Sequence, residues 1–244
     1  MGGIDDFLVA ALRTLPEKPP DTAPRSTKQK YSQTVSQAIA DAFAAELRDR
    51  GLAGALPAPP GSVTKSGAEK RISGGIGAKK VDVSWSTDES GLILGISVKT
   101  INFRDRRSNN FQKNLTNRRG DMLFESVTLH RRFPYAALFG FLFLDWEARE
   151  DATDRRKSTF ANAHKRLKLF TDRDEPEGRE EQYERLYICV MRANPFDPIY
   201  ELFKAGDPYP RLALSAVFDE MVGLVAERNP DFYEAEGGEL RRFS

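Results

Sequence analysis

Apolar positions in the first part of the chain repeat with a helical period. They predict a short amphipathic helix over residues 4–15 and a long helix whose apolar stripe recurs at Tyr31, Val35, Ile39, Phe43 and Leu47. The Pro-rich segment 16–24 separates the two, because proline interrupts both helices and strands. A further short helix is predicted over residues 63–72, after a loop rich in glycine and proline.

A period of two then replaces the helical period and predicts a β-hairpin from residues 79–85 and 92–99. If Trp85 pairs with Leu92 across the hairpin, Asp82 lies opposite Gly95. If the pairing is shifted by two residues, Asp82 lies opposite Ser97. In both registers the apolar sides coincide, with Leu92, Leu94, Ile96 and Val98 on the apolar side of the second strand. Asp82, Ser97 and Lys99 share the other side. Lys99 is a charged residue on an otherwise apolar strand, which indicates a specific role for its side chain.

The rest of the chain alternates helices and strands. We expect a helix over residues 109–133 with a break near Gly120, a buried strand over 135–145, a basic helix over 155–170, a buried strand over 185–193 and a last helix over 212–228. The polar C-terminus is expected to be loose. This order predicts an α/β fold, a mixed β-sheet flanked by helices. Residues 1–51 would be an N-terminal helical extension, packed on the core or used in dimerisation, and residues 52–244 the core.

Composition narrows the classes of function. Lys and Arg total 37 and Asp and Glu total 36, so only local clusters of charge can indicate a nucleic-acid partner. The lone cysteine, Cys189, fits a reducing compartment, and two histidines argue against a histidine-rich metal site. The longest apolar run, residues 135–144, is too short for a membrane span, and the N-terminus does not read as a signal peptide. We therefore expect a cytoplasmic protein without a membrane segment.

Asp82 on one strand, the tripeptide Ser97-Val98-Lys99 on the next, and then helix, strand, helix, strand resemble the PD-(D/E)xK nuclease superfamily. The likeness in element order covers roughly residues 63–193, whereas the sequence motif is three residues long. The resemblance implies a restriction-endonuclease-like core that hydrolyses phosphodiester bonds. It also implies Mg²⁺ as cofactor, since carboxylate-held Mg²⁺ stabilises the charge that develops on phosphate oxygens.

The resemblance assigns a role to each residue of the motif. Asp82 would bind Mg²⁺, and the backbone carbonyl of Val98 would be a second ligand. Lys99 would orient the attacking water or help to deprotonate it. A plain cross-strand ion pair between Asp82 and Lys99 is the competing structural interpretation.

Ser97 departs from the family pattern, which usually has Asp or Glu at this position. A neutral hydroxyl is a poor ligand for Mg²⁺, so another acid is needed at the site. Glu69 lies on the predicted helix just before the hairpin, and Asp121 and Glu125 lie one turn apart on the helix that follows Lys99. We expect Glu69 to be the donor and Glu125 to be the second candidate.

Residues 99–119 form a basic run that contains seven Lys or Arg side chains and one acid, Asp105. Cations neutralise phosphates, and amide side chains can hydrogen-bond base edges. The residues predicted to contact DNA are Arg104, Arg106, Arg107, Asn109, Asn110, Lys113, Arg118 and Arg119. A solvated loop and helix face is the competing interpretation of this run.

These features predict a Mg²⁺-dependent DNA endonuclease, a type II restriction enzyme or another anti-phage defence enzyme. A homodimer is expected, because cutting both strands often needs two copies and C2 is the commonest symmetry. The alternatives are a nucleic-acid-binding protein whose site has decayed on the same fold, and a structural subunit that binds an acidic partner through the basic run.

Overall fold

The computed structural model describes residues 3–59, 61 and 71–243. The helices are α1 (Ile4–Arg13), α2 (Arg25–Asp49), α3 (Gln112–His130), α4 (Thr159–Leu167) and α5 (Leu214–Arg228). The strands are β1 (Arg71–Ser73), β2 (Ala78–Lys80), β3 (Val83–Thr87), β4 (Gly91–Ile101), β5 (Ala137–Asp145), β6 (Arg185–Arg192), β7 (Ile199–Lys204), β8 (Tyr233–Glu236) and β9 (Glu239–Arg242).

A five-stranded mixed sheet is the centre of the molecule, with the strand order β3-β4-β5-β6-β7. The three middle strands run parallel, and β3 and β7 are antiparallel to their neighbours. The parallel strands are joined by crossovers that carry α3 and α4. The predicted α/β class, a mixed sheet flanked by helices, is therefore confirmed.

Both faces of the sheet are covered, as the near-continuous apolar sequence of β5 predicts. Phe139, Phe141 and Phe143 pack into one core, which also contains buried residues of α1, α2 and α5. Leu138 and Leu142 point into the second core, together with α3 and α4. The N-terminal helices therefore share the main core with the sheet.

The predicted strand over residues 79–85 is wrong in its continuity. The chain forms β2, leaves the ladder at Val81 and Asp82, and resumes as β3 at Val83. The predicted common face of Leu92 and Leu94 is also wrong. Trp85 pairs with Leu94 but Ser86 pairs with Leu92, so Ile93 forms a β-bulge, and Leu92 packs in the core opposite to that of Leu94.

Other differences lie at the ends of elements. Helix α3 continues through Gly120 without the expected break. The C-terminus, expected to be loose, forms the β8–β9 hairpin, and its Tyr233 and Leu240 are buried in the main core. Most of the helix expected over residues 63–72 lies outside the described residues, and its described end is strand β1.

Candidate active site and basic groove

Asp82 lies immediately before β3, at the point where backbone pairing with β4 ends. Its Oδ2 accepts a hydrogen bond from the backbone N–H of Val98 at 2.8 Å and another from Lys99 Nζ at 2.9 Å. The ladder pairs Val83 with Ile96, so its continuation brings Asp82 level with Ser97. Of the two registers that the sequence allowed, the structure has the one shifted by two residues.

Helix α3 brings a second carboxylate to this point. Its buried residues pack on the sheet, and Glu125 lies on the same side of the helix, with a side chain only 5% exposed. Glu125 Oε2 lies 3.1 Å from Lys99 Nζ and accepts a hydrogen bond of 3.2 Å from Ser97 Oγ. Glu125 thus places a carboxylate beside the serine that replaces the usual acid of the motif.

Asp121, the other candidate acid on α3, is not at this position. Asp121 is exposed on α3 and pairs with Arg118 at 3.2 Å. Glu69, the expected donor, lies outside the described residues. The sequence could not separate Glu125 from Asp121, because the choice depends on which side of α3 faces β4.

The titration of the site is set by burial and mutual charge. Burial alone would lower the pKa of Lys99, but Glu125 and Asp82 outweigh it and raise that pKa above its ordinary value. Burial raises the pKa of Glu125, against the opposing effect of the Lys99 cation. Lys99 is therefore an ammonium ion at neutral pH, held between two carboxylates.

Tyr183 closes the inner side of the site. Its hydroxyl donates a hydrogen bond of 2.9 Å to the carbonyl of Met122, one turn before Glu125 on α3. Burial raises the pKa of the Tyr183 phenol, and the nearby Glu125 carboxylate adds to this effect. Tyr183 is consequently a neutral wall of the site and not a proton acceptor.

The donor set fits a hard divalent cation. Asp82 and Glu125 offer carboxylate oxygens, and Mg²⁺ prefers oxygen ligands. Glu125 Oε1 is buried and has no hydrogen-bond partner within the described part of the chain. A buried carboxylate oxygen without a partner is costly, and a cation would satisfy it. No group of three or more His, Cys, Asp or Glu side chains suited to a metal occurs among residues 3–59, 61 and 71–243, so the described donors at this point are two carboxylates.

A groove of about 1350 Å³ opens in front of Asp82 and Lys99. One wall is the N-terminal half of α2, the floor is the end of β4, and the other wall is the loop after β4 with the start of α3. Small-molecule sites usually measure roughly 300–1,000 Å³. This groove is larger and more open, as a polymer substrate would require.

The groove is strongly basic although the chain is nearly neutral. Among the described residues, nine Lys or Arg side chains line it, against two carboxylates, Asp82 and Asp105. The basic side chains are Arg25, Lys28, Lys80, Lys99, Arg104, Arg106, Arg107, Lys113 and Arg118. Such a concentration of one sign raises the local concentration of a polyanion.

Five of the residues predicted to contact DNA line the groove: Arg104, Arg106, Arg107, Lys113 and Arg118. Asn109, Asn110 and Arg119 do not belong to its lining. Asn110 is buried, and its side chain accepts from the backbone N–H of Gln112 and donates to the carbonyl of Ser108. Its role in this structure is to begin α3.

Some of the basic side chains also hold the loop in shape. Arg104 pairs with Glu147 at 3.1 Å, and Lys113 pairs with Asp105 at 2.8 Å. Arg106 donates to the carbonyl of Thr22 at 2.7 Å, which ties the loop to the chain before α2. Part of the run thus shapes the loop, and Arg107 and Arg118 are the better candidates for ligand contact, because the pair of Arg118 with Asp121 is exposed and lies within α3.

No family model, curated protein or solved structure matches the chain. The resemblance to PD-(D/E)xK nucleases therefore depends on the motif and on the geometry above. Within the described residues, no helix is long and apolar enough to cross a membrane.

Sequence reasoning missed the contribution of α2 to the groove. Its lining residues are Arg25, Lys28, Gln29, Ser32, Gln33, Ser36, Gln37 and Ala40. A signal was present, because the chain has no acidic residue between Asp21 and Asp41 while it carries Arg25, Lys28 and Lys30. That local bias could have marked α2 as a surface for an anionic ligand.

Proposed function

We propose that this protein is a Mg²⁺-dependent DNA endonuclease of the PD-(D/E)xK type. The observation that carries the proposal is a wide basic groove lined by Asp82 and Lys99, with the buried carboxylate of Glu125 in contact with Lys99. A structural ion triad needs no such groove, and a solvated basic face needs no buried carboxylate such as Glu125. The combination is what cleavage of a polyanionic backbone requires.

Each residue has a defined task in this proposal. Asp82 and Glu125, with the carbonyl of Val98, would hold Mg²⁺, which when bound supplies stabilisation of the negative charge on the phosphate oxygens. Ser97 orients Glu125 through its hydrogen bond. Lys99, whose pKa is raised by its carboxylate neighbours, is protonated and can orient a water molecule but not accept its proton.

The same proposal extends to the biological setting suggested by the resemblance. The protein would act in the cytoplasm as a type II restriction or anti-phage defence enzyme, and as a homodimer if both strands are cut. The width of the groove and its positive charge support a nucleic-acid partner.

Plasmid cleavage tests the proposal. Supercoiled plasmid incubated with the protein and Mg²⁺ should be nicked or linearised, and EDTA should prevent this. Glu125→Gln and Lys99→Ala should each reduce the cleavage rate by at least about 100-fold, as expected when a charged group at a reaction centre is removed. Glu69→Gln tests the donor that was preferred from the sequence.

Asp121→Asn is the matched control, because it removes an exposed carboxylate from the same helix one turn away. It should change the rate by less than about threefold, consistent with the small energy of surface ion pairs. Wild-type protein that does not cut, or Glu125→Gln protein that cuts at the wild-type rate, would contradict the assignment.

The second candidate is a DNA-binding protein with a decayed site. It is favoured by one observation, the direct contact of Lys99 with both carboxylates, which gives each of them a cationic partner without a metal ion. This candidate predicts a gel shift of duplex DNA in EDTA without cleavage in Mg²⁺. A structural subunit would give neither result.

A further inference from the structure

We infer that Gln29 and Gln33 of α2 read base edges in the major groove of double-stranded DNA and so determine the sequence preference of the protein. This inference rests on the proposed function in one respect, the duplex DNA substrate. It adds a recognition element that lies on a different helix and a different face of the sheet from Asp82, Glu125 and Lys99.

The two glutamines form one stripe on the groove wall. They are four residues apart, and side chains at that spacing lie above one another on a helix. Both are exposed and line the groove, and neither has a hydrogen-bond partner within the described part of the chain. Gln37, the next in the stripe, already donates to Asp41 at 3.0 Å and is less available.

The wall that carries the glutamines is fixed to the floor of the groove. Ser32, one position before Gln33, accepts a hydrogen bond of 3.1 Å from Asn102. Ser36 lies 3.3 Å from the hydroxyl of Thr100 at the end of β4. The apolar side of α2 is buried in the main core, so its groove side is presented on a rigid support.

Amide side chains have the chemistry to read DNA sequence. Gln can make a bidentate pair with adenine N6 and N7, and an α-helix fits the major groove, about 12 Å wide. Four residues advance a helix by about 6 Å, roughly two steps of the 3.4 Å rise along one DNA strand. Arg25 and Lys28 line the same wall, so phosphates beside the groove would meet cations.

The surface suits duplex DNA better than the other polynucleotides. Single-strand binding relies on exposed aromatic rings that stack on bases. Phe103, the aromatic residue among the described residues of the groove lining, is only 8% exposed, and Lys18 and Lys28 lie over its ring. Duplex RNA has a deep, narrow major groove that side chains cannot read.

Selection from a library of random duplexes in EDTA measures preference independently of cleavage. Wild-type protein should enrich a motif that contains adenine, and the double variant Q29A/Q33A should lose the preference at about two positions. The total affinity for random duplex should fall by less than about fivefold, because neutral side chains carry little of the phosphate attraction. Ala maintains helix propensity, so α2 should remain folded.

The matched control is T27A/T34A, which changes two exposed neutral side chains of α2 that lie outside the groove lining. It should leave the enriched motif unchanged. The inference would be overturned if Q29A/Q33A enriched the same motif as the wild type. It would also be overturned if the wild type enriched no motif, or if it bound only single strands or RNA.

The experiments distinguish failure of the proposed nuclease function from failure of this inference. Wild-type protein that enriches a motif dependent on Gln29 and Gln33, but does not cut plasmid in Mg²⁺, would leave this inference standing and remove the nuclease. Plasmid cleavage together with an unaltered motif in Q29A/Q33A would do the reverse.

Discussion

At the scale of single residues, Ser97 lies where the proposed nuclease motif would carry an acid. Its hydroxyl is 3.2 Å from Glu125 Oε2, so α3 brings a carboxylate to this position on β4. Period-two alternation was enough to place Asp82 and Lys99 on one face, because that face depends only on parity. The identity of the second acid depends on the packing of α3, which no local pattern encodes.

Ser97→Ala should have a mild effect on cleavage. One hydrogen bond to a charged group is lost, worth roughly 1.5–3 kcal/mol, but the charge of Glu125 and its contact with Lys99 remain. We expect a rate at least about tenfold higher than that of Glu125→Gln, measured under single-turnover conditions. Ser84→Ala on β3 is the control, since its buried hydroxyl has no hydrogen-bond partner among the described residues. Inactivity of Ser97→Ala equal to that of Glu125→Gln would mean that the hydroxyl acts directly.

At the scale of elements, long periodic segments were predictable and short or interrupted ones were not. Strand β5 was evident from its unbroken apolar sequence, whereas β7 and the β8–β9 hairpin carry too few alternating positions to be distinguished from loops. The bulge at Ile93 was invisible for a similar reason. An extra residue in one strand alters the pairing without altering the composition.

The loop after β4 and the start of α3 should set the salt dependence of DNA binding. Each phosphate contact removed should lower the slope of log affinity against log salt by roughly 0.9. R107A/R118A removes two cations from the groove lining, so the slope should fall by about 1.8. The measurement is duplex binding in EDTA over a range of NaCl concentrations.

R131A/R132A is the matched control for that measurement. Both arginines are exposed just beyond the end of α3 and do not line the groove. Their removal should leave the slope at the wild-type value. If the two double variants behave alike, the DNA backbone does not follow the groove.

At the scale of the whole molecule, one buried carboxylate joins elements that are distant in sequence. Glu184 is fully buried just before β6. It contacts His130 at the end of α3 and Arg228 at the end of α5, and it also contacts Arg173. Glu184 Oε2 also accepts a hydrogen bond of 2.6 Å from the backbone N–H of Leu138. Although burial opposes ionisation, these partners lower the pKa of Glu184 to about 2.

Glu184→Gln should destabilise the fold strongly, because it leaves Arg173 and Arg228 buried without their counter-charge. Breaking a buried ion pair costs roughly 3–5 kcal/mol. Since the folded pKa is lowered, the contribution of Glu184 is fully present above its unfolded value near 4.3 and is lost as pH falls toward about 2.

Urea unfolding of the wild type and Glu184→Gln at pH 7 and at pH 2.5 checks both parts of this prediction. The first pH lies above the titration range of Glu184, and the second lies near its lower end. Glu177→Gln, an exposed glutamate of the same loop, should differ from wild type by less than about 0.5 kcal/mol at either pH. A deficit of Glu184→Gln that stays constant with pH would show that the cluster contributes through packing and not through charge.

The position of Asp82 suggests a variant with which the proposed complex with DNA could be determined. Its carboxylate takes the hydrogen bond of the Val98 N–H where the β3–β4 ladder stops, so the same atom ends the ladder and holds Lys99. Asparagine has a carbonyl oxygen of the same reach and can accept both bonds, which preserves the end of the hairpin while removing the charge. Asp82→Asn is therefore the natural trapping variant, one that would retain an uncut duplex long enough for crystallisation or cryo-microscopy.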